Sequence, residues 1–123
     1  DIDKFKNVND SYGHKAGDKV LATVAELCES RIRETDFFAR YGGEEFVIIM
    51  PETSLKQAKT LAENLRQEVE GCTFHYAQAP VDITVSCGLS EFRKGDAIET
   101  VFNRADSALY DAKNGGRNQV KFK

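Results

Sequence analysis

Two glycines, Gly42 and Gly43, stand between two short extended runs, and two acids, Glu44 and Glu45, follow them directly. The first run, Phe37 to Tyr41, is aromatic. The second, Phe46-Val47-Ile48-Ile49-Met50, is unbroken apolar and ends at Pro51. Glycine supplies the positive φ that tight hairpin turns need, so the segment predicts a β-hairpin with carboxylates at its tip. An apolar run without alternation predicts a second strand covered on both faces. The chain must therefore build a sheet around this hairpin and put helices over it.

The helices follow from spacing. Val20, Leu21, Val24, Leu27, Cys28 and Ile32 recur at helical period and predict an amphipathic helix over about 17–33. Leu55, Ala58, Ala62, Leu65 and Val69 predict a second, stopped by Gly71. Ile98, Val101, Phe102, Ala105, Leu109 and Ala112 predict a third, stopped by Gly115 and Gly116. Between them Val81, Ile83, Val85, Cys87 and Leu89 alternate with polar or small residues, a strand with one core face. Val120 and Phe122 suggest a short closing strand. With Asp1 to Asp3 as the end of a strand, the order is β-α-β-β-α-β-α-β, one compact α+β domain or α/β sandwich. The abrupt start predicts a domain over 1–123 excised from a longer protein and truncated in its first strand.

Composition narrows the function. The chain has 123 residues, 41% of them hydrophobic, which suits one domain with a real core. Seventeen basic against twenty acidic residues give a net charge of −3. That argues against a general nucleic-acid or membrane-surface binder, although a local basic pocket for phosphates stays open. No apolar run approaches the ~20 residues of a bilayer span. Three cysteines without a CxxC pair fit reduced thiols in a cytoplasmic domain.

Four acids are candidates for chemistry. Asp1 and Asp3 bracket Ile2, and Glu44 and Glu45 follow the glycines. If strand and hairpin pair, one carboxylate from each could hold Mg²⁺ together with substrate phosphates; solvated strand-end acids are the plainer account. Lys6, Lys113 and Arg117 could grip phosphates, or the last two could simply oppose a helix dipole. Asp18 can accept from two neighbouring N–H groups of guanine and Asn9 can both donate and accept, or Asp18 can serve a helix N-terminus. His14 is first a turn residue. Arg33 and Asp36 form an RxxD whose bland reading is a surface ion pair.

Taken in order, Asp1-Ile-Asp-Lys-Phe-Lys-Asn-Val-Asn-Asp-Ser-Tyr-Gly-His14, Gly17-Asp18, Arg40-Tyr-Gly-Gly-Glu-Glu-Phe46 and Ala112-Lys-Asn-Gly-Gly-Arg-Asn118 resemble the bacterial GGDEF domain of diguanylate cyclases, in its GGEEF form. The resemblance spans essentially the whole chain. It implies a central, mostly antiparallel five-stranded sheet flanked by helices, like nucleotidyl cyclases and polymerase palms. It implies condensation of two GTP to cyclic di-GMP and two pyrophosphates by a homodimer. Asp1, the Ile2 carbonyl and Glu44 would hold Mg²⁺, or Mn²⁺ in its place, with Glu45 assisting. Glu44 would be the base and Lys6 would stabilise phosphate charge. Amides near Phe5 and Lys6, with Lys113 and Arg117, would hold phosphates, while Asn9 and Asp18 would read guanine. Gly42 and Gly43 would leave room for the nucleotide. Arg33 and Asp36 would form a product-inhibition site. A second arginine is often supplied to that site by the helix over about 54–70, where Arg66 is the only arginine. A catalytically silent receptor for GTP or cyclic di-GMP is the alternative.

Overall fold

The computed structural model describes residues 1–123. In chain order the elements are α1 (Phe5–Tyr12), α2 (His14–Arg31), β1 (Phe37–Arg40), β2 (Phe46–Ile49), α3 (Leu55–Gly71), β3 (Phe74–Tyr76), β4 (Ala79–Val81), β5 (Cys87–Leu89), α4 (Ile98–Asn114) and β6 (Val120–Phe122). The three helices expected from apolar spacing are α2, α3 and α4. Helix α3 opens on a capping box: Ser54 Oγ accepts from the Gln57 amide and the Gln57 side chain accepts from the Ser54 amide.

Four expectations are corrected. Residues 5–12 form a helix of their own, although Asn, Asp and Ser are poor helix formers. Only Val8 of α1 is buried, and close packing on α2 holds the helix in place. Helix α2 begins at His14, so Asp18 is its fifth residue and not an N-terminal one. The 81–89 segment is not one strand: β4 ends at Val81, Val85 makes a lone bridge to Ile2, and β5 starts at Cys87. A hairpin over 74–81 joins β3 to β4 through Ala77 and Gln78, both at positive φ (49° and 66°). Such turns usually carry glycine or asparagine.

Each named strand pairs with one other: β1 with β2 antiparallel, β3 with β4 antiparallel, β5 with β6 parallel. Asp1 to Asp3 join the first pair to the third. Ile2 N donates to Glu44 O at 3.1 Å, Asp3 N to Thr84 O at 2.9 Å, and Ser86 N to Asp1 O at 3.0 Å. The strands expected to form a five-stranded sheet are thus present as pairs bridged at their middle by three residues. One core of Ile2, Val20, Val24, Val69, Val81 and Val85, among others, lies behind this bridge. Burying each such side chain contributes about 1.5–3 kcal/mol.

Strand β2 is less covered than expected. Phe46, Val47 and Ile48 are half-buried and Ile49 is 55% exposed. Between β2, β5, α3 and α4 lies an apolar groove of about 200 Å³, with Val47, Ile48, Leu65 and Leu89 in its walls and Asp1 beside them.

Candidate functional site

The glycine loop is held open by an arginine. Residues 41–45 separate the paired Arg40 and Phe46. The Arg40 fork donates to the carbonyls of Gly42 at 3.1 Å and Gly43 at 2.8 Å. Tyr41 N and Gly42 N both donate to Glu45 O, at 2.8 and 3.3 Å. A five-residue loop needs no left-handed turn, and neither Gly42 nor Gly43 has positive φ. The conformational reason expected for these glycines is therefore corrected, while the spatial one stands open: a Cβ on Gly43 would meet nothing within 4 Å. Arg40 was visible in the sequence only as part of the motif. Its bidentate grip on two carbonyls appears only in the fold.

The same loop is stitched to the start of the chain. Through the Ile2 N–H on the Glu44 carbonyl, Asp1, Ile2 and Glu44 meet at one edge of the joined strands. The Asp1 side chain is 4% exposed and pairs with Lys113 Nζ at 3.1 Å. Glu44 is half-buried. The Ile2 carbonyl accepts no backbone N–H. Two carboxylates and a free carbonyl are the all-oxygen donor set that a hard divalent cation takes, with water and phosphate filling the remaining positions. No group of three or more His, Cys, Asp or Glu side chains forms a protein-only metal cage. Lys6 is exposed and makes no ion pair.

Asp3 points to a different task. It is 8% exposed and accepts from Ser86 Oγ at 2.6 Å, Thr84 Oγ1 at 2.7 Å and Asn118 N at 3.0 Å. Arg117 lines a polar cleft of about 460 Å³ between α1 and β4, shared with Asp3, Lys4, Asn7 and Asp82.

Asn9 is seated by a glycine. A Cβ on Gly17 would lie 2.0 Å from Asn9 Oδ1 and 3.0 Å from the Phe5 ring, so a side chain here would push Asn9 from its seat. Phe5 and Asn9 thereby stand next to exposed Asp18. His14, expected in a turn, is the first residue of α2.

Arg33 and Asp36 form a closed pair. The Arg33 amide donates to Asp36 Oδ2 at 2.8 Å and its guanidinium to Oδ1 at 2.9 Å, to Pro51 O at 3.0 Å and to Thr53 Oγ1. Arg33 hydrogen bonding holds the Asp36 carboxyl below its usual value. Arg33 keeps 53% of its side chain exposed while Asp36 keeps 2%. Arg66 is turned elsewhere: it forks onto Glu63 and donates to Asn118 Oδ1 at 2.9 Å, with 14% exposure. Cys28 is buried, and burial pushes its thiol up to about 11; burial likewise raises Cys87, and Cys72 is exposed. None forms a disulfide.

A family model described as "Diguanylate cyclase, GGDEF domain" matches residues 1–119. The chain belongs to the GGDEF family. It is 49% identical over 121 residues to the diguanylate cyclase DgcP of Pseudomonas aeruginosa, covering 98% of this chain and 18% of that protein. It is 44% identical to diguanylate cyclase A of Treponema denticola, again over 98% of this chain and 33% of the relative. The GGDEF domain of DgcB from Caulobacter crescentus, solved in complex with c-di-GMP, superimposes with a TM-score of 0.97 at 40% identity, covering 99% of this chain and 73% of that one. The α+β, palm-like architecture is therefore the GGDEF fold. The chain spans a fifth to a third of these curated relatives' length. No helix is long and apolar enough to cross a membrane.

Proposed function

We propose that this GGDEF domain is a diguanylate cyclase that condenses two GTP into cyclic di-GMP, one GTP held by each of two copies. In each half-reaction a ribose 3′ oxygen forms a bond to the α-phosphorus of the partner's GTP. The bond from that phosphorus to the bridging oxygen breaks, pyrophosphate leaves, and the hydroxyl proton goes to Glu44. The observation that supports the reading is the Ile2 N to Glu44 O bond, which brings the backbone of Glu44 against the segment that carries Asp1.

Asp1, the Ile2 carbonyl and Glu44 hold Mg²⁺ (or Mn²⁺), with Glu45 in support; that ion neutralises phosphate charge when bound. Lys113 moves from Asp1 to the incoming phosphates, and Lys6, free of ion pairs, stabilises the charge that builds on them. The Phe5 and Lys6 amides, with Arg117, complete the phosphate grip. Asn9 and Asp18 read guanine, and the open space over Gly43 admits the nucleotide. The groove between β2 and β5 accepts one more extended strand running into Asp1, which would complete the five-stranded sheet.

Arg33 offers an exposed guanidinium already oriented by Asp36, which supports product inhibition by cyclic di-GMP at this pair. Arg66, committed to Glu63 and Asn118, takes no part in it. The same exposed Arg33 favours a second reading, a catalytically silent receptor. Incubating the protein with GTP and Mg²⁺ and resolving nucleotides by chromatography separates the two. Cyclic di-GMP from the native chain and none from Glu44→Gln, with GTP binding retained, is expected. Product from Glu44→Gln at the native rate would overturn the assignment of the base; cyclic di-GMP binding without turnover would establish the receptor.

A further inference from the structure

We infer that Asp3 is a positioning residue, whose carboxylate fixes the turn after α4 and so sets where Arg117 presents its charge. The inference rests on the proposed role of that cation in holding GTP phosphates.

The turn is an uncomfortable one. Gly116, Arg117 and Asn118 follow one another with φ of 115°, 64° and 46°. Left-handed backbone is natural for glycine and tolerated by asparagine, but it is rare for arginine, where it persists only when surroundings impose it. The first half of the turn is closed by α4 itself: Gly115 N donates to Asp111 O at 2.8 Å and Arg117 N to Ala112 O at 3.0 Å. The second half is imposed from outside. Asn118 N donates to Asp3 Oδ2 at 3.0 Å, and the Asn118 side chain accepts from Arg66 and donates to Glu70. Cys87 N then donates to Gln119 O at 3.0 Å and leads the chain into β6.

Asp3 suits this task because its surroundings fix it in turn. It is buried, enters no ion pair, and its oxygens take two hydroxyl donors besides the Asn118 amide. Ser86, one of the two, is 0% exposed. A buried carboxylate held by neutral donors has no cation to exchange and no reason to move, whereas Asp1, two residues earlier, carries the exchangeable Lys113 ammonium. The two aspartates divide one turn: Asp1 meets its mobile charge, and Asp3 anchors its backbone.

The test compares the native chain with Asp3→Ala and the isosteric Asp3→Asn, which keeps one acceptor oxygen. Fluorescent GTP titrations, the Mg²⁺ concentration for half-maximal binding, and amide exchange at Arg117 and Asn118 are the readouts. Asp3→Ala should weaken GTP about tenfold or more, as a misplaced binding group does. It should leave the Mg²⁺ dependence unchanged and speed exchange at both amides, while Asp3→Asn recovers most of the loss. If Asp3→Ala does not fold, the Asn variant and Ser86→Ala are measured alone, each expected to show a smaller loss of the same kind. Unchanged GTP affinity in folded variants, or a loss that excess Mg²⁺ restores, overturns the inference. If the native chain fails to bind GTP, the proposed function falls, and amide exchange decides the anchor by itself: faster exchange at Asn118 upholds it and native exchange overturns it.

Discussion

Single residues set distances in the candidate site. A Cβ on Gly17 would stand 2.0 Å from Asn9 Oδ1. Because the Asn9 side chain can swing aside and Gly17 lies inside α2, where alanine is favoured by about 1 kcal/mol, we expect Gly17→Ala to leave urea stability nearly unchanged while weakening guanine nucleotides by moving Asn9. The Arg33–Asp36 pair has a pH signature with a definite sign. Asp36 is held below the usual 3.8 by its hydrogen bonds from Arg33, so its carboxylate stabilises the fold above that pH. The contribution is lost as pH falls through the depressed folded value. Urea titrations should therefore find Asp36→Asn less stable than the native chain at neutral pH, with the gap closing below about pH 3.8. A gap that persisted unchanged into strong acid would contradict the pairing.

At the scale of elements, legibility followed chemistry that repeats. The apolar positions of α2, α3 and α4 recur every three or four residues, and all three helices form, although α2 starts at His14, ahead of its apolar stripe. Helix α1 buries a single side chain, so it left no stripe to read, and only its contact with α2 reveals why it forms. The β3–β4 turn was illegible because Ala77 and Gln78 occupy left-handed positions that composition reserves for other residues. The 81–89 segment alternates as a strand does, yet its middle spends its hydrogen bonds on Asp1 and Asp3 and interrupts the ladder. The motif supplied the candidate residues of the site; that Asp3 faces two hydroxyls and an amide, and Arg40 two carbonyls, required coordinates. Contact between α4 and β5 depends on Gly88, where a Cβ would lie 2.2 Å from Leu109 N and 2.3 Å from Ala105 O. Both are main-chain atoms that cannot swing aside. Gly88→Ala should destabilise by more than about 2 kcal/mol by denaturant unfolding, whereas Gly43→Ala, with nothing within 4 Å, should leave stability unchanged and weaken GTP binding.

Considered whole, the proposed mechanism asks two copies to meet, each holding one nucleotide. If two copies must meet, specific activity should rise with protein concentration. Fusion to a dimerising coiled coil should raise it further at low concentration, through effective concentration alone. A rate per copy independent of concentration in a monomeric sample would refute the two-copy mechanism. The three residues that open the chain carry a last consequence. The strand pairs β1–β2 and β5–β6 have no ladder between them except through Asp1, Ile2 and Asp3. The keystone of the architecture and the proposed seat of the metal thus share one tripeptide. A substitution in this segment would therefore strike stability and the proposed chemistry together, and neither could be tuned without the other.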